Sequence, residues 1–261
     1  MWAAVWSGDA KKLGEVIRQD PGFNVNMGLD DDWNTLLHLA YIGDSRTAVI
    51  PLLLAHPDVD VNVMNRNGAT PFYCACANGF TSCVRLLLKD SRVKVNEPTS
   101  NGYTPLWHAA RHGRFDLIKW WIASGREVDL GKPGDVEKTD AIGKAEERGK
   151  TKVATLLGRF QENPEETRHQ VRLEIGWCDE AAAEMFAIVV IVSDELLQID
   201  ETTPSPAARF FNIAAQLPLE LQMVLCCRVV RSDKEILNGK DSEAAFKELA
   251  KKPVWPSIFT G

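Results

Sequence analysis

The strings NGATPFYCACANGF at 67–80 and NGYTPLWHAARHGR at 101–114 are nearly one phrase written twice, 34 residues apart. A catalytic motif is normally written once. A phrase repeated at a fixed period signals stacked structural units, and it limits the chain to folds built by stacking. Related phrases open at Thr35 (TLLHLAYIGD), Thr70 (TPFYCACANG) and Thr104 (TPLWHAARHG), with a degraded copy at Asp140 (DAIGKAEERG). Each is followed by an apolar stretch: IPLLLAH at 50–56, CVRLLLK at 83–89, LIKWWIA at 117–123 and VATLLGR at 153–159. The segments close on FNVN at 23–26, VDVN at 59–62, VKVN at 93–96 and EVDL at 127–130.

Each part of the phrase has a physical role. Glycine in NG or DG supplies the positive φ of a tight turn. Threonine caps a helix, and proline fits the first helical position because its missing N–H would be unbonded there. A short helix then stops near Gly79 or Gly113, and a second one carries apolar residues such as Cys83, Leu86 and Leu87 at helical spacing. One such pair of helices cannot bury its own apolar faces, so it must stack on neighbours.

The G-x-T-P-L-x-x-A-A-x-x-G pattern at Gly102–Gly113, together with the VN phrases, resembles the ankyrin repeat over residues 1–160. The resemblance implies an all-α ankyrin-repeat solenoid of about five repeats, with 1–30 as an N-terminal cap and about 131–160 as a polar C-terminal one. The histidine of the family's TPLH survives only as His38, with Tyr73 and Trp107 in its place. In the family that histidine bonds backbone between repeats, so looser polar stitching is expected at the third and fourth repeats. Pro51 is expected to kink the second helix of its repeat.

The period stops after Phe160. Residues 161–261 read as an all-helical C-terminal region, either extending the stack or forming a small bundle. Its expected parts are a helix ended by Gly176, a buried helix at 179–199, a linker at 199–208 and helices over 208–216 and 217–230. A polar loop at 232–241, a helix at 242–252 and the tail PVWPSIFTG complete it. Leu217-Pro218-x-Glu220-Leu221-x-x-x-Leu225 is similar to the opening of an F-box, which implies a substrate adaptor of a ubiquitin ligase as the alternative function.

Composition narrows the chemistry. Hydrophobic residues are 45%, charged residues 25% and the net charge is −6, a globular balance that argues against nucleic acid as a partner. The longest apolar run, Met185–Val192, is far shorter than the roughly 20 residues of a membrane span. No signal peptide opens the chain, so a cytoplasmic protein with reduced thiols is expected, the nucleus not being excluded. Cys74, Cys76, Cys83, Cys178, Cys226 and Cys227 lack zinc-pair spacing, and no nucleophile elbow or phosphate loop occurs. His108 and His112 lie four apart, but Gly113 ends their helix. No cofactor, metal or catalytic residue is expected.

What remains is a non-enzymatic surface for a protein or peptide partner. In the family frame its turn tips carry Trp33 and Asn34, Arg66 and Asn67, and Tyr103. Its helix-rim positions carry Trp6, Tyr41, Asn78, Arg111 and His112, with Ile42 beside them. Exposed Trp, Tyr and Arg are the residue types that anchor interfaces.

Overall fold

The computed structural model describes residues 2–20, 22–41, 44–131, 139–193, 210, 213–214, 216–217, 219–229 and 245. Contacts divide the chain into two units, Met1–Val171 and Arg172–Gly261. No strand occurs among the described residues, and the chain is an all-α repeat protein.

Five helix pairs build the first unit. The first member of each is short: α1 (Trp2–Ser7), α3 (Leu36–Ala40), α5 (Pro71–Asn78), α7 (Pro105–Arg111) and α9 (Ala141–Glu147). The second members are α2 (Ala10–Gln19), α4 (Ile50–Leu54), α6 (Thr81–Lys89), α8 (Phe115–Ser124) and α10 (Thr151–Glu162). α11 (Pro164–Glu174) follows. It buries Thr167 and Val171, and Arg168 Nε donates to the Ile122 carbonyl, which explains why the stack's contacts run past Phe160. Capping follows the repeated phrase. Thr70 Oγ1 accepts from Tyr73 N and Thr104 Oγ1 from Trp107 N, both at 3.2 Å, and Asp140 does the same for Gly143. Pro71 and Pro105 open their helices. Pro51 opens a helix rather than kinking one. A 3-10 turn at Asp44–Val49 precedes it, and α4 begins only at Ile50, where proline's missing donor is harmless.

Between repeats lies a core that includes Leu13, Leu36, Ile50, Phe72, Leu87 and Leu106, all essentially inaccessible. Of the tryptophan pair, Trp121 is fully buried, edge-on to Phe72 at 4.9 Å, while Trp120 is half-buried beneath the Arg85 guanidinium. Polar bonds repeat with the same period. Asn26 donates to Asp58 O and accepts from Asp60 N. Asn62 does the same with Arg92 O and Lys94 N, and Asn96 accepts from Asp129 N. The asparagine of the VN phrase is therefore a clamp on the next repeat's loop.

The expectation of looser stitching is corrected at the fourth repeat. His38 Nδ1 accepts from Thr35 N, so Nε2 carries the proton and donates to Ala69 O at 3.0 Å. Trp107 Nε1 donates to Thr139 O at 3.2 Å. Ala69 and Thr139 each precede a helix cap, so the indole N–H reaches the carbonyl position that the histidine reaches. Tyr73 instead places its hydroxyl 3.2 Å from His108 Nδ1.

In the second unit, α12 (Trp177–Ser193) packs on α13 (Leu219–Val229). Ala182, Phe186, Ala187, Val189, Cys226 and Cys227 belong to its core, so the apolar segment expected to be buried is buried over its described part up to Val190, while 194–199 lie outside the described residues. Gly176 has φ 67° just after α11, as a helix stop requires. The linker at 199–208, the polar loop at 232–241, the tail and, apart from Ala245, the helix at 242–252 lie outside the described residues, as does Ile42.

Replacing Asn62 with alanine removes two partly exposed hydrogen bonds and should lower stability by about 1 kcal/mol. A shifted urea midpoint with an unchanged slope checks this, and an unchanged midpoint would remove the clamp's role.

Candidate partner-binding face

Three turn tips are closed by similar backbone bonds, the first from a donor one residue earlier than in the other two. Leu29 N bonds Asn34 O, Asn65 N bonds Ala69 O and Thr99 N bonds Tyr103 O. Inside each loop a tighter bond closes the turn: Trp33 N to Asp30 O, Gly68 N to Asn65 O and Gly102 N to Thr99 O. Successive tips are joined by Arg66 N to Asp32 O at 2.9 Å and by Ser100 N to Asn67 O at 3.1 Å.

The alignment exposes a feature the sequence reading missed. Trp33 stands where the other tips have Gly68 and Gly102. Its φ is 61°, beside 69° and 80° for the glycines, and it is the one non-glycine residue with positive φ among the described residues. A non-glycine residue pays a penalty of about 1–2 kcal/mol in this left-handed region. The loop holds it there through Asp30, whose carboxylate accepts from Asp32 N, Asn34 N and Asn34 Nδ2. Burial opposes ionisation of Asp30, but those hydrogen bonds outweigh it and keep its carboxyl below the usual range. Asn65 Nδ2 ties Asn34 to the next tip. Gly28 supplies the room: a Cβ there would lie 3.0 Å from Trp33 Cα. The counting signal was available in the sequence, two residues ahead of each threonine.

The expected site residues fall into separate groups. Trp33, 61% exposed, lies with Asn34, Arg66 and Asn67 at the tips, and the Arg66 guanidinium sits 5.7 Å from its ring. Tyr103 is half-buried on Trp107, ring centroids 4.7 Å apart. Trp6 is 47% exposed, with Arg46 stacked 4.0 Å over its ring and bonded to its carbonyl. Asn78 is exposed, and its amide donates to Cys74 O. Tyr41 is a correction: it is fully buried rather than rim-exposed. Every residue of α3 is buried, with α1 and α5 packed against it, so this helix offers no exposed rim.

Arg111 and His112 gather further cations. The His108 and His112 rings lie 4.7 Å apart, and Arg111 stands 5.7 Å from the Trp107 ring. Burial, followed by His112, Arg111 and Arg114, pushes His108 down to about 4. Burial and then Arg114, Arg111, Lys150 and Arg148 push His112 down as well.

Three of the cysteines are held as neutral thiols. Burial pushes the Cys74 and Cys226 thiols up to about 12 and raises that of the fully buried Cys76 as well, so these three remain protonated at neutral pH. A recess of about 460 Å³ beside Val93–Pro98 and Arg126–Glu127 is lined by neither cysteine nor histidine. Among the described residues, no group of three or more His, Cys, Asp or Glu is placed to hold a metal. Likewise, no described helix is long and apolar enough to cross a membrane. In the LPLEL segment Leu221 is 52% exposed, Leu217 is half-buried and Leu225 packs on the second core. Gln222 is buried and bonds Leu217 O.

Residues 37–132 match the family model for ankyrin repeats, in three copies. A stretch of 54 residues is 44% identical to rabankyrin-5 of Homo sapiens and 41% identical to that of Mus musculus. Those matches span 21% of this chain and 4% of each relative, so the chain corresponds to a small part of their length.

The unfolded imidazole of residue 108 takes up a proton below about pH 6.5, whereas the folded one resists until about 4. His108 therefore contributes stability above pH 6.5 that is lost as pH falls toward 4, about 1 kcal/mol once solvent screening is allowed for. An NMR titration should give the His108 ring an apparent pKa near 4; an ordinary value near 6.5 would refute the packing described.

Proposed function

We propose that this ankyrin-repeat chain is a non-enzymatic interaction module that grips a protein or peptide partner on its turn tips and neighbouring helix ends, with Trp33 as the anchor. One observation carries this reading. A large ring is held exposed, at a backbone conformation that suits glycine, in the position where the sister turns use glycine. Folding alone gains nothing from that arrangement, and strained, exposed residues concentrate where function needs them. Trp33 is also the residue type that dominates interface energetics, and Arg66 beside it is another. Reduced thiols in all six cysteines suit a reducing compartment, cytoplasm or nucleus. The ubiquitin-ligase adaptor reading has the exposure of Leu221 in its favour, but Gln222 and Leu225 of the same helix turn inward.

Two variants at one position separate anchor from strain. Trp33→Ala and Trp33→Gly both remove the ring, but only alanine keeps the backbone penalty. The glycine variant should be more stable than the alanine variant by about 1 kcal/mol, read as a difference in urea midpoint. Both should lose the partners that the wild type captures from cell extract. Capture unchanged in either variant would overturn the assignment of Trp33.

A further inference from the structure

The helix-turn ends of the last repeats carry a column of cations that the sequence reading saw only in part. α5 and α7 each end at a glycine, and the next repeat lays a basic side chain across it. A Cβ on Gly79 would fall 2.6–2.7 Å from Arg114 side-chain atoms, and one on Gly113 would fall 2.8 Å from Lys150 Cδ. Both glycines have positive φ, 80° and 68°. They are therefore required twice, once for the turn and once to let the neighbouring cation lie flat. Arg114 Nη2 reaches Ala77 O at 3.5 Å, while its Nε is buried with no hydrogen-bond partner.

Arg111, Arg148 and Lys150 enter no ion pair among the described residues, and Arg148 and Lys150 are exposed. The acids nearby are mostly engaged: Glu147 pairs with the buried Lys144 at 2.9 Å, and Asp116 with Lys119 at 3.5 Å. Glu146 of α9 is exposed. A chain of net charge −6 thus concentrates uncompensated positive charge at one place. The acidic run Asp30-Asp31-Asp32 sits at a turn tip three repeats earlier.

We infer that the patch formed by Arg111, His112, Arg114, Arg148 and Lys150 receives an acidic peptide segment of the partner. The inference rests on reading this face as a partner surface and adds the chemistry of its basic end. Charge complementarity is the argument: carboxylates would meet guanidinium and ammonium groups that no described acid satisfies. A short acidic segment fits better than a nucleic acid, which carries charge along its whole length and would also meet the chain's net negative charge.

The test uses the full chain and fluorescein-labelled hexaglutamate, followed by anisotropy at 50 and 300 mM salt. Saturable binding should weaken at least tenfold at the higher salt. An Arg148→Glu, Lys150→Glu double variant should weaken it at least tenfold at 50 mM. Both positions are exposed, and unchanged circular dichroism would show that the variant is folded. Hexaglutamate that does not bind, or binds the double variant equally, overturns the inference. So does tighter binding of oligothymidylate or of phosphatidylserine vesicles. Failure here with partner capture still lost in Trp33→Gly would remove the basic end alone and leave the tip anchor standing.

Discussion

A pair of helices of five to twelve residues cannot hide both of its apolar faces, and everything in the first unit follows from that shortfall. Each pair is completed by the next, and the completion is polar as well as apolar. The amides of Asn26 and Asn62 each clamp a loop 30–34 residues downstream, with Asn96 continuing the series. His38 and Trp107 each donate to the carbonyl ahead of the next helix cap. These bonds satisfy backbone groups that would otherwise lie exposed between stacked loops. They also fix the spacing at which the turn tips stand beside one another.

A scaffold fixed in this way can hold a residue in an unfavourable backbone conformation. At the tips, Asp30 gathers three donors and the loop closes on itself, which holds the backbone of Trp33 at its positive φ. At the helix ends, glycine gives the space in which Arg114 and Lys150 lie across the preceding repeat. The stack thus carries an exposed aromatic ring at a turn tip and basic groups at its later helix ends. Both features come from local departures within a regular frame, which is how repeat proteins vary their binding surfaces without changing the stack.

Much of the frame could be read from the sequence. Thr-Pro starts, glycine stops and the VN phrases each map onto a cap, a positive φ or a clamp. The residues that depart from the frame were harder. Trp107 appeared to break the inter-repeat bond, yet its indole N–H spans the distance to Thr139 O; reach depends on three-dimensional geometry that spacing does not contain. Tyr41 sits at a rim position by register, but α3 is covered on both sides, and burial depends on neighbours more than 30 residues away. Trp33 could have been found by counting back from each threonine, since the pattern shows a glycine missing. In the second unit, where no period exists, the apolar run at 179–193 revealed a buried helix but not its partner, α13.

The central claim is that the tip around Trp33 is where a partner sits. A photo-reactive benzoylphenylalanine placed at position 33, and separately at the exposed Leu52 of α4, tests it in the cell of origin. The account predicts covalent adducts to a partner from position 33 and none from position 52. Adducts from position 52 with none from position 33 would contradict it, and would move the binding surface to the second helices of the stack.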